Sequence, residues 1–340
     1  MKAIIMAGGE GRRLRAVTGS SAKPMVNFFG KPMMEHIILL LKQNGFDDIC
    51  LTLRYKAEDI INYFGSGEKL GVKLQYRIED KILGTAGSVK NCADFYGNED
   101  FLVISGDAAC DFSLKDLMKL HKQSSALASL ALYRSSEPLS YGLVLTDAED
   151  KVRCFVEKPT WSRVITNLVN TGIYALSPKA MDFVPDDTAF DFGKELFPKL
   201  LKQGQQLMGY ELSGYWCDVG SPLSYYKCCV DALEGRLKIQ IPPAFYAENK
   251  TDDSQPIAEG IVRDCRCKNR AELMCALSQI ALDMGADYSD GIEISKPHYT
   301  LRIAALPRQS AVRLSVKSDD AEFARSLAFT TSELIKALDL

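Results

Sequence analysis

Apolar positions in this chain recur with two periods, and strand-like and helix-like stretches alternate from the first residues onward. A short apolar run, Ala3, Ile4, Ile5 and Met6, enters a glycine cluster at Gly8, Gly9 and Gly11. A run of that length bounded by glycines reads as a buried strand. Residues Pro32 to Asn44 carry Met33, Met34, Ile37, Ile38 and Leu41 at helical spacing. The same reading predicts a strand over Ile49 to Leu53, a helix over Glu58 to Gly65 and a short strand over Leu74 to Tyr76. A helix over Thr85 to Asp94, a strand over Phe101 to Ile104, a helix over Leu114 to Ser124 and a strand over Ala126 to Tyr133 follow. This rhythm predicts an α/β fold, a Rossmann-like and mostly parallel sheet flanked by helices. Ligands of such sheets bind beyond the carboxyl ends of the strands, where the glycine cluster and Asp107 both fall.

The later chain changes character. Tyr141 to Tyr174 is richer in short strands (Gly142 to Thr146, Val152 to Glu157, Gly172 to Ala175) and reads as a smaller strand-rich region over the same pocket. Leu196 to Lys202 and Ser221 to Glu234 read as helices around a strand at Leu207 to Glu211. Ile241 to Pro256 holds Pro242, Pro243 and Pro256 among polar residues and reads as a linker. Beyond it come a helix over Asn269 to Met284, strands over Tyr299 to Ile303 and Val312 to Val316, and a closing helix over Asp319 to Leu338. The expected division is therefore a first domain over 1–240, a linker over 241–258 and a small α+β C-terminal domain over 259–340.

Composition narrows the class of ligand. The 340 residues can bury a large core, and 41 basic residues against 44 acidic ones give a net charge of −3. That balance favours neither a nucleic-acid nor a membrane partner. No apolar stretch reaches membrane-spanning length, and ten cysteines in this length suit a reducing cytoplasm better than a disulfide scaffold. Cys265, Cys267 and Cys275 resemble a fragment of a metal site, but no partner pair completes four ligands. The three histidines, His36, His121 and His298, are scattered, and solvated or core roles suit them.

The glycine cluster is followed by Arg12, Arg13 and Arg15, and later by Lys23 and Lys31. Glycines let backbone N–H groups approach an anion, and the cations add positive charge, so a phosphorylated ligand is the economical reading. A bare strand-to-helix turn is the plainer one. The spacing is neither GxxxxGK[ST] nor GxGxxG, which excludes a Walker loop and a dinucleotide fingerprint. Asp107 in ISGD and Asp218 in YWCDVG are carboxylates among small or apolar neighbours, the type that holds Mg2+ together with phosphate oxygens. Taken singly, each is more simply a turn or N-cap aspartate. Lys158 in VEKP suits a phosphate or a solvated strand end. The turn from Leu83 to Ser88 offers backbone on which a flat base could pack, or is an ordinary capped turn.

The order and spacing of these motifs resemble the sugar-1-phosphate nucleotidyltransferase family. The family opening stands here as AGGEGRRLRAVT at 7–18, then AKPM at 22–25 and GKPM at 30–33. LGTAGS at 83–88, SGD at 105–107, YG at 141–142, VEKP at 156–159, NTGIY at 170–174 and WCDVG at 216–220 follow in order. The resemblance covers about residues 1–235. It implies that Ala7, Gly8, Gly9 and Gly11 line the nucleotide, with Gly84 and Thr85 near the base. It implies that Arg13 and Lys23 face the triphosphate, and that Asp107 and Asp218 hold Mg2+. Gly142, Glu157, Asn170 and Thr171 would contact the sugar, and Lys158 its phosphate. The chain departs from the pattern at Arg12, where a small hydroxyl residue is usual, and at Ala16 and Val17.

The implied reaction joins a nucleoside triphosphate to a sugar 1-phosphate, giving a nucleotide sugar and pyrophosphate. The LGTAG turn resembles that of members acting on GTP and mannose 1-phosphate; glucose 1-phosphate with UTP or another nucleotide is the alternative. A regulatory subunit that binds nucleotide sugar without making it is the alternative of another class. Residues 261–340 resemble the last domain of phosphohexomutases, but Leu306 to Val312 keeps little of that family's phosphate loop. The tail therefore reads as a docking or homo-oligomerisation domain, or as a packed appendage without a ligand.

Overall fold

A computed structural model describes residues 1–18, 21–241, 256–257, 260–306 and 309–339. The chain divides into two compact units. The first holds Met1–Gly11, Ser21–Met25 and Pro32–Asp218; the second holds Arg12–Ser20, Val26–Lys31 and Val219–Leu340. The linker expected over 241–258 lies for the most part outside the described residues.

The expected α/β fold forms in the first unit. Lys2–Met6, fully buried at Ala3, Ile4 and Ile5, pairs in parallel with Asp48–Leu53 on one side and Phe101–Ser105 on the other. Lys73–Ile78 extends the parallel half from Asp48–Leu53. Helices Met33–Gln43 and Leu114–Ser124 bury the apolar positions read from the sequence, Met33, Met34, Ile37, Ile38 and Leu41 among them. The helix expected over Thr85 to Asp94 is broken into Gly84–Lys90 and Ala93–Tyr96.

The strand-rich stretch differs from expectation. Leu168–Leu176 is nine residues long and pairs antiparallel with both Phe101–Ser105 and Ala128–Arg134. Ala128–Arg134 in turn takes Leu207–Glu211 in parallel. Leu143–Thr146 and Val152–Val156 pair antiparallel and join at the far edge. Among the described residues these strands and the parallel half make one nine-stranded mixed sheet, so the later strands continue the main sheet and do not form a separate layer. The physical reason is apolar continuity: Val169, Ile173, Tyr174, Ala175 and Leu176 are all buried, and such a strand needs a neighbour on each edge.

In the second unit, a five-stranded antiparallel sheet runs in the order Pro256–Ile257, Gly260–Arg266, Ala311–Ser318, Tyr299–Ala305 and Ile292–Lys296. Its inward positions Leu301, Ile303, Val312, Leu314 and Val316 share a core with Leu327, Leu334 and Ile335 of the helix Ala321–Leu338. The helix Pro222–Leu233 belongs to this core through Tyr226 and Val230, and Tyr226 Oη lies 2.9 Å from Thr331 Oγ1. A boundary at residue 240 would assign that helix to the first domain, whereas its apolar face is buried in the second unit.

Candidate functional site

The candidate residues gather at the end of the parallel half. Gly106 follows Phe101–Ser105, and its N–H donates to Met6 O at 2.8 Å, so the loops after the first strand and after Phe101–Ser105 lie side by side. A second, short ladder places the other aspartate. Ala108–Cys110 pairs antiparallel with Trp216–Asp218 in a register that sets Asp218 opposite Ala108. Asp218 is thereby brought beside Asp107. Asp111 Oδ1 accepts the Tyr215 N–H at 2.7 Å and pins the start of that ladder.

Lys23 completes the centre. Its Nζ lies 2.5 Å from Asp107 Oδ2 and 3.4 Å from Asp218 Oδ1. Ser105 Oγ donates to Asp107 Oδ1 at 2.5 Å. Burial raises the proton affinity of the Asp107 carboxyl, but the Lys23 charge and the bonds from Lys23 and Ser105 outweigh it and hold the carboxyl below its ordinary value. Burial alone would discharge Lys23; the two carboxylates reverse this and raise its pKa. Gly11 positions the lysine: it sits at φ +63°, and a Cβ there would collide with the Lys23 stem.

A cavity of about 210 Å3 opens from the two aspartates between Gly142, Glu157, Lys158 and Asn170, with Trp216 in its wall. The structure thus brings Asp107, Asp218, Gly142, Glu157, Lys158, Asn170 and Thr171 around one space. Glu157 is half-buried, and burial pushes its carboxyl pKa up. A Cβ on Gly142 or on Gly193 would lie 2.7 Å from Glu157 Oε2, so both glycines leave room for that carboxylate. Lys158 is exposed and sits at φ +40°, a strained conformation of the kind retained at ligand sites. Asn170 is oriented by donating to Tyr174 Oη at 2.9 Å and accepting from the Gly172 N–H at 3.3 Å. Thr171 contributes backbone: its hydroxyl is committed to Ala131 O at 2.7 Å and its carbonyl accepts from Trp216 Nε1 at 3.1 Å.

The glycine loop Ala7, Gly8 and Gly9 follows the first strand, with the Ala7 N–H on Thr52 O at 3.0 Å. Arg13 lies in the 3-10 turn Arg12–Leu14, which groups with the second unit. The small-residue turn is packed more closely than its sequence implies. Gly84 and Gly87 abut the backbone of Phe190 and Thr188, and Thr85 binds Asp191.

Glu79 was not singled out by the sequence. It directly follows Lys73–Ile78 and is buried, and its Oε2 lies near Gly8, 3.8 Å from where a Cβ on that glycine would stand. Its Oε1 has no hydrogen-bond partner among the described residues, and burial raises its pKa against the opposing influence of Ser88 and Arg54. The available signal was an acidic residue between a strand and a glycine turn.

Two carboxylates converging on a single cation offer hard oxygen donors, a set that fits Mg2+ completed by phosphate oxygens. Among the described residues, no cluster of three or more His, Cys, Asp or Glu side chains is arranged to hold a metal ion, and no helix is long and apolar enough to cross a membrane.

Residues 2–235 match the family model described as nucleotidyl transferase. A UTP–glucose-1-phosphate uridylyltransferase of Synechocystis is 35% identical over 71% of this chain and 66% of its own length. A mannose-1-phosphate guanyltransferase of Yarrowia lipolytica is 35% identical over 66% of this chain and 62% of its own length. The chain thus spans somewhat less than two thirds of these curated relatives. The HddC structure from Yersinia pseudotuberculosis, solved with GMP-PN, superposes with a TM-score of 0.58 at 31% identity, over 67% of this chain and 97% of that one. The chain belongs to the sugar-1-phosphate nucleotidyltransferase family.

Proposed function

We propose that this chain transfers a nucleotidyl group from a nucleoside triphosphate to a sugar 1-phosphate, with GTP and mannose 1-phosphate as the pair. The observation that carries the reaction is Lys23 between Asp107 and Asp218 at the mouth of the cavity that holds Glu157, Lys158 and Asn170. The attacking group, a phosphate oxygen, is already ionised near pH 7, its second pKa being about 6, so no general base is required. The protein's task is to bring two anions together. Asp107 and Asp218 would hold Mg2+, which supplies charge neutralisation on phosphate oxygens. Lys158 pairs with the sugar phosphate, and Glu157 and Asn170 take sugar hydroxyls. The Ala7, Gly8, Gly9 and Gly11 backbone lines the triphosphate, where Lys23 offsets charge gathering on the leaving pyrophosphate, a role the family resemblance also gives to Arg13.

Glu79 supports guanine. A carboxylate is an acceptor-only group, which matches the adjacent N1–H and N2–H donors of guanine. Uracil and thymine present a single N–H flanked by carbonyl oxygens, which a carboxylate repels. The test is pyrophosphate release from the full chain with Mg2+ and five nucleoside triphosphates against mannose and glucose 1-phosphates. Turnover greatest with GTP and mannose 1-phosphate is expected. Preference for UTP and glucose 1-phosphate would replace the substrate assignment, and silence with tight nucleotide-sugar binding would indicate a regulatory protein.

A further inference from the structure

One short segment, Phe190–Gly193, touches both halves of this site. Towards the nucleotide half, the Phe190 N–H donates to Leu83 O at 2.9 Å, and Phe190 O accepts from the N–H groups of Ala86 at 2.8 Å and Gly87 at 3.0 Å. Asp191 Oδ1 accepts from the Thr85 N–H at 3.3 Å and the Thr85 hydroxyl at 3.1 Å, and Thr85 Oγ1 accepts from the Phe192 N–H at 2.9 Å. The first turn of Gly84–Lys90 thus directs its free N–H groups to this segment. Towards the sugar half, Gly193 stands against the Glu157 carboxylate. The charges of Lys194 and Asp191 also bear on the proton affinity of Glu157.

The connection is stiff. Phe192–Leu196 is a single π-helical turn, a rare geometry that recurs at functional sites. The Asp191 N–H donates to Glu195 Oε2 at 2.6 Å and closes that turn. Phe192 is buried with its ring centroid 4.9 Å from that of Tyr174, whose hydroxyl accepts from Asn170. A shift of the Thr85 turn is therefore passed to Gly193 and Glu157 through two residues of anchored backbone.

We propose that Asp191 is a positioning residue that couples the nucleotide turn to the sugar-binding cavity, so that filling one half tightens the other. This rests on the two-substrate reading above. The experiment uses the full chain with Mg2+, a non-hydrolysable GTP analogue and mannose 1-phosphate, and measures the affinity for each ligand with and without the other. Each ligand should tighten the other by about fivefold or more in the wild type. In Asp191→Ala that factor should fall to within about twofold of unity at unchanged Tm, and Thr85→Val, which removes the opposite hydroxyl, should do the same. Asp191→Asn keeps an oxygen acceptor and should restore the coupling. Coupling that persists in Asp191→Ala or Thr85→Val, or that is lost equally in Asp191→Asn, overturns the assignment. An active wild type without coupling overturns it while leaving the proposed reaction standing; a wild type that turns over no substrate pair removes both.

Discussion

Lys23 and Asp107 hold each other in their charged forms, and Asp218 shares the lysine. Replacing either aspartate by alanine takes one carboxylate away from the lysine and removes an oxygen donor from the centre. Asp107→Ala is expected to lower pyrophosphate release by at least about 100-fold with little change in Tm, as stopped-time assays and a melt would show. Glu79 acts in the opposite sense on stability. Its carboxyl is buried with one oxygen unpaired, so the folded chain keeps that proton to higher pH than the unfolded chain does. The folded state then binds more protons, and stability falls as pH rises through the raised pKa. Glu79→Gln is expected to raise Tm at neutral pH and much less near about pH 4, because the amide never ionises. The same variant should lose about 100-fold or more of its preference for GTP over UTP. Equal melting shifts at both pH values would contradict the burial argument, and retained GTP preference would contradict the base assignment.

At the scale of elements, Gly142 and Gly193 frame Glu157 from two directions, one at the start of Leu143–Thr146 and the other in the π-turn. Gly142→Ala places a Cβ 2.7 Å from the carboxylate and 2.9 Å from the Phe155 ring. Its KM for the sugar phosphate should rise at least about tenfold while that for the nucleotide stays within about twofold; equal rises would indicate general unfolding of the edge strands. Helices were the most legible elements in the sequence. Leu114–Ser124 has the expected bounds, and Pro222–Leu233 begins at a Ser221 that caps Ser224. Their amphipathic spacing and end residues are local properties. The ladder of Ala108–Cys110 with Trp216–Asp218 was not legible, since three residues show no period and their partners are far apart in sequence. The motif order brought the cavity residues within reach, whereas Glu79 and Asp191 depend on burial and on a contact across 106 positions, which no local pattern reveals.

At the scale of the molecule, the second unit is not a detachable tail. Tyr226 and Val230 of Pro222–Leu233 share its core with Leu327, Leu334 and Ile335. A chain ending at residue 240 would leave the apolar face of that helix uncovered, and it is expected to aggregate or to melt well below the full protein in a thermal scan. A monomeric 1–240 fragment with the Tm of the whole chain would refute this. The first strand's sheet is complete without those residues, so the fragment should still show strand signal by circular dichroism.

The second unit draws on both ends of the described chain. Its helix Ala321–Leu338 packs against Arg15–Thr18, the turn that directly follows Arg12–Leu14. On a ribosome the two partners emerge some tens of seconds apart, at roughly 5–20 residues per second. The basic flank of the glycine loop must therefore wait, unpacked, until residues 321–338 have been translated. Packing of this turn is in this way gated by synthesis of a helix some 300 positions later: a nascent chain that stops before residue 321 carries Arg12–Leu14 without the partner of the turn that follows it.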